Sequence, residues 1–367
     1  TIVEPLARIT TCAGSNLFIG GVRTAEDLTH DFTALRNRGI QVLADTARDI
    51  DTARKVVKLG SGETISYDKL VVSPGIDFKL GGIAGYDEAA TEVMPHAWRG
   101  GRQMLLLKRQ LEDMPDGGAV VIAAPSGSYR CPPAPYERAC MIAHYLKRQK
   151  PKSKIILLDA KKQFAKEVLF KKAFTTHYPN MIELHQSATV DDLSIVAADP
   201  KARSVTTKSG QTFKGAVVSI IPPQKAGAIA VTAGLVDGDW CPVDASTFGS
   251  AKVKDVYVLG DASSAGSMPK SGFAANSQAK VVADAIAAEL VKAPKYPPRL
   301  RSTCWSLLAR ADTVKMGAAY AVKDGKIVEV NNFASAPDEP VMVRAKNTSE
   351  YLTWYGNMMA DSFGKTG

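Results

Sequence analysis

No stretch of this 367-residue chain approaches the ~20 consecutive apolar residues of a membrane-spanning helix. The C-terminal tail, YLTWYGNMMADSFGKTG, is too short and too polar to serve as a membrane anchor. Histidine and cysteine are scarce. The five histidines, at 30, 96, 144, 177 and 185, are scattered, and the five cysteines, at 12, 131, 140, 241 and 304, contain no C-x-x-C pair, so no zinc site is expected. Lysine and arginine form no run interleaved with aromatics, and no nucleic-acid motif occurs. The excess of 46 basic over 37 acidic residues therefore points to an anionic cofactor, an anionic substrate or an acidic partner. No signal peptide is visible, but the chain opens inside a strand, which deprives that absence of weight. The absence with the most consequence is a glycine motif. No strand-to-helix turn carries the G-x-G-x-x-G by which backbone amides approach a pyrophosphate.

Where that motif would be expected stands a cysteine. The apolar run 120–124 reads as a strand, 136–147 continues at helical spacing, and the loop between them is A-P-S-G-S-Y-R-C-P-P. Two prolines, an arginine and a tyrosine fill the space a pyrophosphate needs, and Cys131 is aimed beyond the strand ends. Taken alone, this loop slightly favours a buried structural cysteine in a proline-rich turn.

The length suits two or three domains of ordinary size. Residues 1–4, TIVE, read as the end of a strand closed by an acid, Glu4, placed to accept from a ribose hydroxyl. A first strand and its glycine turn are then expected about 20 residues upstream of the numbered chain. Cys12 follows in the loop TTCAGSN, where a free thiol is usually inert but where this one would lie near the far end of a bound dinucleotide. A helix is expected over 24–38, with strands over 40–44, 55–59 and 69–72, the last ending in the tight turn Ser73-Pro74-Gly75. That order suits a flavoprotein in which the chain returns across FAD. A connecting segment over 81–118 carries one helix, 97–111. Strand 154–159, a helix over 164–174 and strand pairs over 190–220 complete the central unit. The strand 256–259 stops at Gly260-Asp261, and a helix begins near Gly272 and continues through Asn276. The Asp261 carboxylate can accept from a ribityl hydroxyl while the amides at Ser271 and Gly272 face a pyrophosphate or the ring edge. The competing reading is an ordinary turn with an N-capping acid. Beyond Pro297-Pro298 come Thr303-Cys304-Trp305, a hairpin around Asp324-Gly325-Lys326, and the segment 351–358.

The segments IVEP…TTCAGSNLFIGG, RCPPAPYERA, IIPPQKAG, WCPVD, VYVLGDASSAGSMPKSGFAANSQAK, STCWSLLA and TWYGN span nearly the whole chain. On these segments the sequence resembles the flavoprotein subunit of flavocytochrome c sulfide dehydrogenase. The resemblance implies an α/β fold with two dinucleotide-binding, Rossmann-like domains of the glutathione-reductase type and a C-terminal α+β interface domain. The boundaries expected are 1–84 and 223–293 for the FAD-binding domain, 85–222 for the second nucleotide-binding-like domain, and 294–367 for the interface domain. It also implies a thioether from Cys12 to the flavin 8α-methyl group, a redox disulfide between Cys131 and Cys304, Glu137 as active-site base, and Trp354 near the flavin. A periplasmic location and a c-type cytochrome subunit as electron acceptor, carrying the haem, are implied too. Arg130 and Lys270 would favour the anion and the thiolate; Cys140 has no implied role, and Cys241 is expected to be packed.

Two other readings compete with this one. A sulfide:quinone oxidoreductase would call for an amphipathic or apolar C-terminal segment, and a scaffold that binds no flavin would purify without colour.

Overall fold

The computed structural model describes residues 1–189 and 192–364. Residues 190–191, which open the strand pairs expected over 190–220, and residues 365–367, which end the expected interface domain, lie outside them.

The central unit is a four-stranded parallel sheet in the order Ile182–Gln186, Lys154–Asp159, Ala119–Ala124, Val217–Ile220. The runs AVVIAA and VVSI are apolar or small throughout because both faces of a parallel sheet are covered. The helix Ala134–Gln149 leaves the carboxyl end of Ala119–Ala124. Prolines pre-set its first turn, Glu137 lies in that turn, and Lys147 and Arg148 lie in the last turn, each charge complementing the helix dipole. Residues 135–143 of this helix are buried without a break, so its first part is enclosed on all sides, while Lys147 to Gln149 are exposed. Fully buried side chains such as Met141 and Ile142 contribute about 1.5–3 kcal/mol each through removal of apolar surface from water. The helix contacts the short N-terminal helix Ser15–Ile19 and the strand Leu300–Ala309, and the largest apolar cluster joins all three.

A second parallel arrangement pairs Leu70–Val72 with Val256–Val258, and Ile2–Val3 with Val42–Leu43. The C-terminal region is a three-stranded antiparallel meander, Leu300–Ala309, Asp312–Lys323 and Lys326–Ala334, packed against the helix Val341–Phe363. Its second turn lies at Asp324 and Gly325, both with positive φ, as a two-residue hairpin demands.

Two expectations are corrected. The helix expected over 24–38 is replaced by a 3-10 turn Glu26–Leu28, a strand Thr29–Asp31 and a short helix Thr33–Asn37. Thr24 and Asp27 exchange side-chain to backbone hydrogen bonds at 2.8 and 3.2 Å, and Thr29–Asp31 then pairs with Arg8–Thr10; tertiary pairing overrides the helical pattern. The helix expected over 97–111 runs instead over Arg102–Asp113, because Ala97 and Gly101 take positive φ values of 46° and 77°, which a right-handed helix excludes. The segment 351–358 is one part of the longer helix Val341–Phe363.

Candidate active site

One cavity, at the carboxyl end of the central strand, is lined by Cys12, Cys131, Glu137 and Cys304, with Gly272 and Trp354 on its wall. Five separate segments deliver these groups. Cys12 lies in the turn before Ser15–Ile19, where its carbonyl accepts from Ser15 N at 3.1 Å. Its neighbour Thr11 is held by Tyr355, whose hydroxyl is 2.9 Å from Thr11 Oγ1 and 3.0 Å from His30 Nε2. Cys12 therefore stands with the other two cysteines rather than apart from them.

Cys131 takes a positive φ of 55°, a conformation that costs a residue with a Cβ and persists only where the surroundings impose it. Those surroundings are visible. Cys131 N donates to Lys270 O at 2.8 Å, Tyr129 Oη donates to Pro132 O at 2.8 Å, and Arg130 N donates to Gln224 Oε1 at 2.9 Å. The loop that replaces a pyrophosphate-binding turn is thus fastened to the segment that opens the helix Gly272–Leu290. Cys304 stands midway along the strand Leu300–Ala309. Both cysteines are free thiols here. Burial raises both thiol pKa values, Cys131 far above the ordinary value with the Cys304 and Cys12 sulfurs adding to the effect, and Arg130 opposing it. At Cys304, Lys166 opposes burial and Glu137 reinforces it.

Glu137 is 7% exposed. Its carboxylate accepts from Asn16 Nδ2 and from Leu307 N, each at 2.8 Å. Burial nevertheless raises its pKa, with the Asn16 and Leu307 hydrogen bonds, Lys166 and Arg138 acting against the rise. Arg138 is itself buried and donates to His96 O at 2.7 Å and to Ala97 O at 2.5 Å. Asn16, Arg138 and Lys166 escaped the sequence reading. The first two fall within quoted motifs, but nothing in local spacing marks Lys166.

Asp261 is not the cap of the following helix, which disposes of the ordinary capping-acid alternative. Ser271 performs that role, accepting from Ala274 N at 3.2 Å. Asp261 Oδ1 is buried without a hydrogen-bond partner, while Arg130 stands 3.7 Å from the other oxygen. Burial raises the Asp261 pKa against the pull of Arg130 and Lys270. Lys270 donates to Asp261 O and Ser263 O at 2.9 and 2.8 Å and covers the Trp240 ring at 3.7 Å; burial pushes its pKa down to about 8. Trp354 stacks with Trp305, Tyr351 and Phe273 at ring separations of 5.4, 6.1 and 6.0 Å.

Other expected residues lie elsewhere. Glu4 ends the Ile2–Val3 strand and accepts from Leu6 N at 3.0 Å. Ser73, Pro74 and Gly75 follow Leu70–Val72, so Ser73 stands beside Gly260 at the end of the paired strand. Asn276 is turned toward the C-terminal helix, 3.4 Å from Asp361. Cys140 and Cys241 are buried, the latter as expected. Among the described residues no cluster of potential metal ligands occurs, and no helix is long and apolar enough to cross a membrane.

These features fit a flavin. The orphaned Asp261 oxygen calls for a hydroxyl donor, Ser271 and Gly272 present the amino end of a 19-residue helix, and Cys12 supplies a thiol on the cavity that Ser271 and Gly272 also line.

Comparison with known proteins agrees with the geometry. The fold is similar to that of the sulfide:quinone oxidoreductase from the hyperthermophilic bacterium Aquifex aeolicus, at 16% identity over 99% of this chain and 86% of that one, with a TM-score of 0.74. A ferredoxin reductase from Rhodopseudomonas palustris matches at 14% identity over 89% and 82% of the two chains, with a TM-score of 0.63. Putidaredoxin reductase, in its covalent complex with putidaredoxin, matches at 15% identity over 95% and 86%, with a TM-score of 0.66. Such identities establish a shared mixed α/β fold. Two family models are more specific. Residues 104–222 match the central region of the sulfide dehydrogenase (flavocytochrome c) flavoprotein chain, and residues 296–363 match the flavin-binding region of flavocytochrome c sulphide dehydrogenase. Together they take in just over half of the chain, including two of the three cavity cysteines, and the chain belongs to the flavocytochrome c sulfide dehydrogenase flavoprotein family.

Proposed function

We propose that this chain is the flavoprotein of a periplasmic sulfide dehydrogenase, which oxidises hydrosulfide with a Cys131–Cys304 disulfide and FAD and delivers the electrons to a c-type cytochrome subunit. The observation that carries this reading is the convergence of Cys12, Cys131, Cys304 and the buried Glu137 on one cavity. Cys12 is the proposed covalent attachment point, and Asp261, Ser271, Gly272 and Trp354 would hold the ribityl chain and ring. Glu4 and Ser73-Pro74-Gly75, outside the cavity, are assigned to the nucleotide end. Bound FAD supplies a two-electron acceptor that can be reoxidised one electron at a time, as transfer to a haem requires.

The residues of this chain perform the sulfur chemistry. Hydrosulfide attacks one sulfur of the disulfide, the S–S bond breaks, and the products are a persulfide on one cysteine and a thiolate on the other. Glu137, with its raised pKa, takes the proton of the incoming sulfide. Arg130 and Lys270 provide positive charge for the anion and the thiolate. The oxidised pair also suits the proposed compartment, since disulfides persist where no thiol pool reduces them.

Three measurements test the reading. Flavin colour that stays with the polypeptide through acid precipitation supports the Cys12 linkage, whereas a colourless protein ends the enzyme reading. In Cys304→Ser, sulfide should no longer bleach the flavin although the flavin stays attached; bleaching at the native rate removes the disulfide from the mechanism. Acceptor assays with cytochrome c against a soluble quinone distinguish this enzyme from a quinone reductase.

A further inference from the structure

Cleavage of a disulfide by hydrosulfide has two regiochemical outcomes, because either sulfur can be attacked while the other leaves as a thiolate. The surroundings of Cys131 and Cys304 are unequal. Lys166 is held at φ 62°, in the left-handed region, immediately before the helix Glu167–His177, a conformation disfavoured for a residue with a Cβ. Its ammonium reaches the strand that carries Cys304, donating to Cys304 O at 2.8 Å and to the buried Ser306 Oγ at 2.9 Å. Glu137 holds the same strand segment through Leu307 N. The Cys304 segment thus lies between a fixed cation and a fixed carboxylate. Near Cys131 the cation is Arg130, whose guanidinium is engaged by the Trp98 carbonyl and by Asp261.

We propose that Lys166 is a positioning residue that makes Cys304 the leaving sulfur and so directs hydrosulfide to Cys131. This rests on the disulfide reading proposed above. Hydrosulfide forms a bond to Cys131 Sγ, the Sγ–Sγ bond breaks, and its electron pair stays on Cys304 Sγ; the products are a Cys131 persulfide and a Cys304 thiolate, with charge conserved. Burial disfavours the thiolate at both cysteines; at Cys304 Lys166 opposes it against Glu137, whereas at Cys131 both neighbouring sulfurs and Asp261 reinforce it against Arg130, and the Cys131 thiol is pushed well above the ordinary value. The titratable groups facing Lys166 are Cys304 on the strand and Glu137 on the central helix; burial lowers the lysine pKa and both of these groups oppose the fall. Glu167, next to it, is occupied by Lys171 and Phe164 N. Alkali therefore neutralises Lys166, and the preference for Cys131 fades as pH rises.

The test is a single anaerobic turnover of the flavin-loaded protein with sulfide, quenched with an alkylating agent and mapped by peptide mass spectrometry. The native protein should show the persulfide on Cys131 and the new thiol on Cys304. Lys166→Met should give a mixture of the two and open the disulfide slower by on the order of tenfold. Lys166→Arg should keep the native pattern and lose the alkaline decline, a difference that a merely structural role of Lys166 does not produce. A native persulfide on Cys304, or an unchanged pattern and rate in Lys166→Met, overturns the proposal. Should the native protein yield neither a persulfide nor a new thiol, the disulfide reading itself fails and this proposal falls with it.

Discussion

Glu137 shows how one residue acquires a role from its surroundings. A carboxylate on a helix first turn is ordinary, but this one is enclosed by the central helix, Asn16 and the strand Leu300–Ala309, and burial raises its pKa. Because the ionised form is the base, the rate of sulfide-dependent flavin reduction should rise with pH through a range above that of ordinary glutamates. Glu137→Gln should lack that limb and be slower by about 10²–10⁴, the usual contribution of a positioned base. The ionisation of sulfide is common to both proteins and cancels in their ratio. Matching pH profiles for native protein and variant would remove Glu137 from the mechanism.

At the scale of elements, the site depends on how two helices begin. The helix Ala134–Gln149 starts just after the strained Cys131, and Gly272–Leu290 starts at Ser271, where the hydroxyl caps Ala274 N. Cys131 N bonds to Lys270 O, so the two starts are tied together. Ser271→Ala should cost about 1 kcal/mol of stability through loss of the cap, and Ser271→Asp should recover most of it. Denaturant unfolding of both variants measures this, and an alanine variant as stable as the native protein would show that the cap contributes nothing.

For the whole molecule, the cavity exists because the N-terminal loop, the central unit and the C-terminal meander meet. Gly100 is one such junction, packed on Thr10 and Thr11 beside Cys12. Gly100→Ala should push the Cys12 loop away from the central unit, lowering stability by about 2–3 kcal/mol and reducing the fraction of protein that holds flavin after purification. A variant with native stability and full flavin content would show that the junction yields without effect. The basic balance of the chain, a net charge of +9, complements the anionic substrate and cofactor proposed for it.

The sequence by itself determined the local pieces. Uninterrupted apolar runs marked the strands Ala119–Ala124 and Lys154–Asp159, proline and helical spacing marked Ala134–Gln149, and Asp324-Gly325 marked a hairpin. These follow from steric and solvation preferences that act within a few residues. The same preferences misread 24–38, where pairing with a strand some twenty residues away, Arg8–Thr10, outweighs helical periodicity. The quoted motifs brought the family within reach and with it the expectation that Cys12, Cys131 and Cys304 act together. Only the tertiary structure decided that they share a cavity, that Ser271 rather than Asp261 caps the helix, and that Lys166 and Asn16 attend the sulfur site. Contacts between residues more than a hundred positions apart depend on how packed layers cross, and neither the spacing nor the propensity of a local segment encodes that crossing.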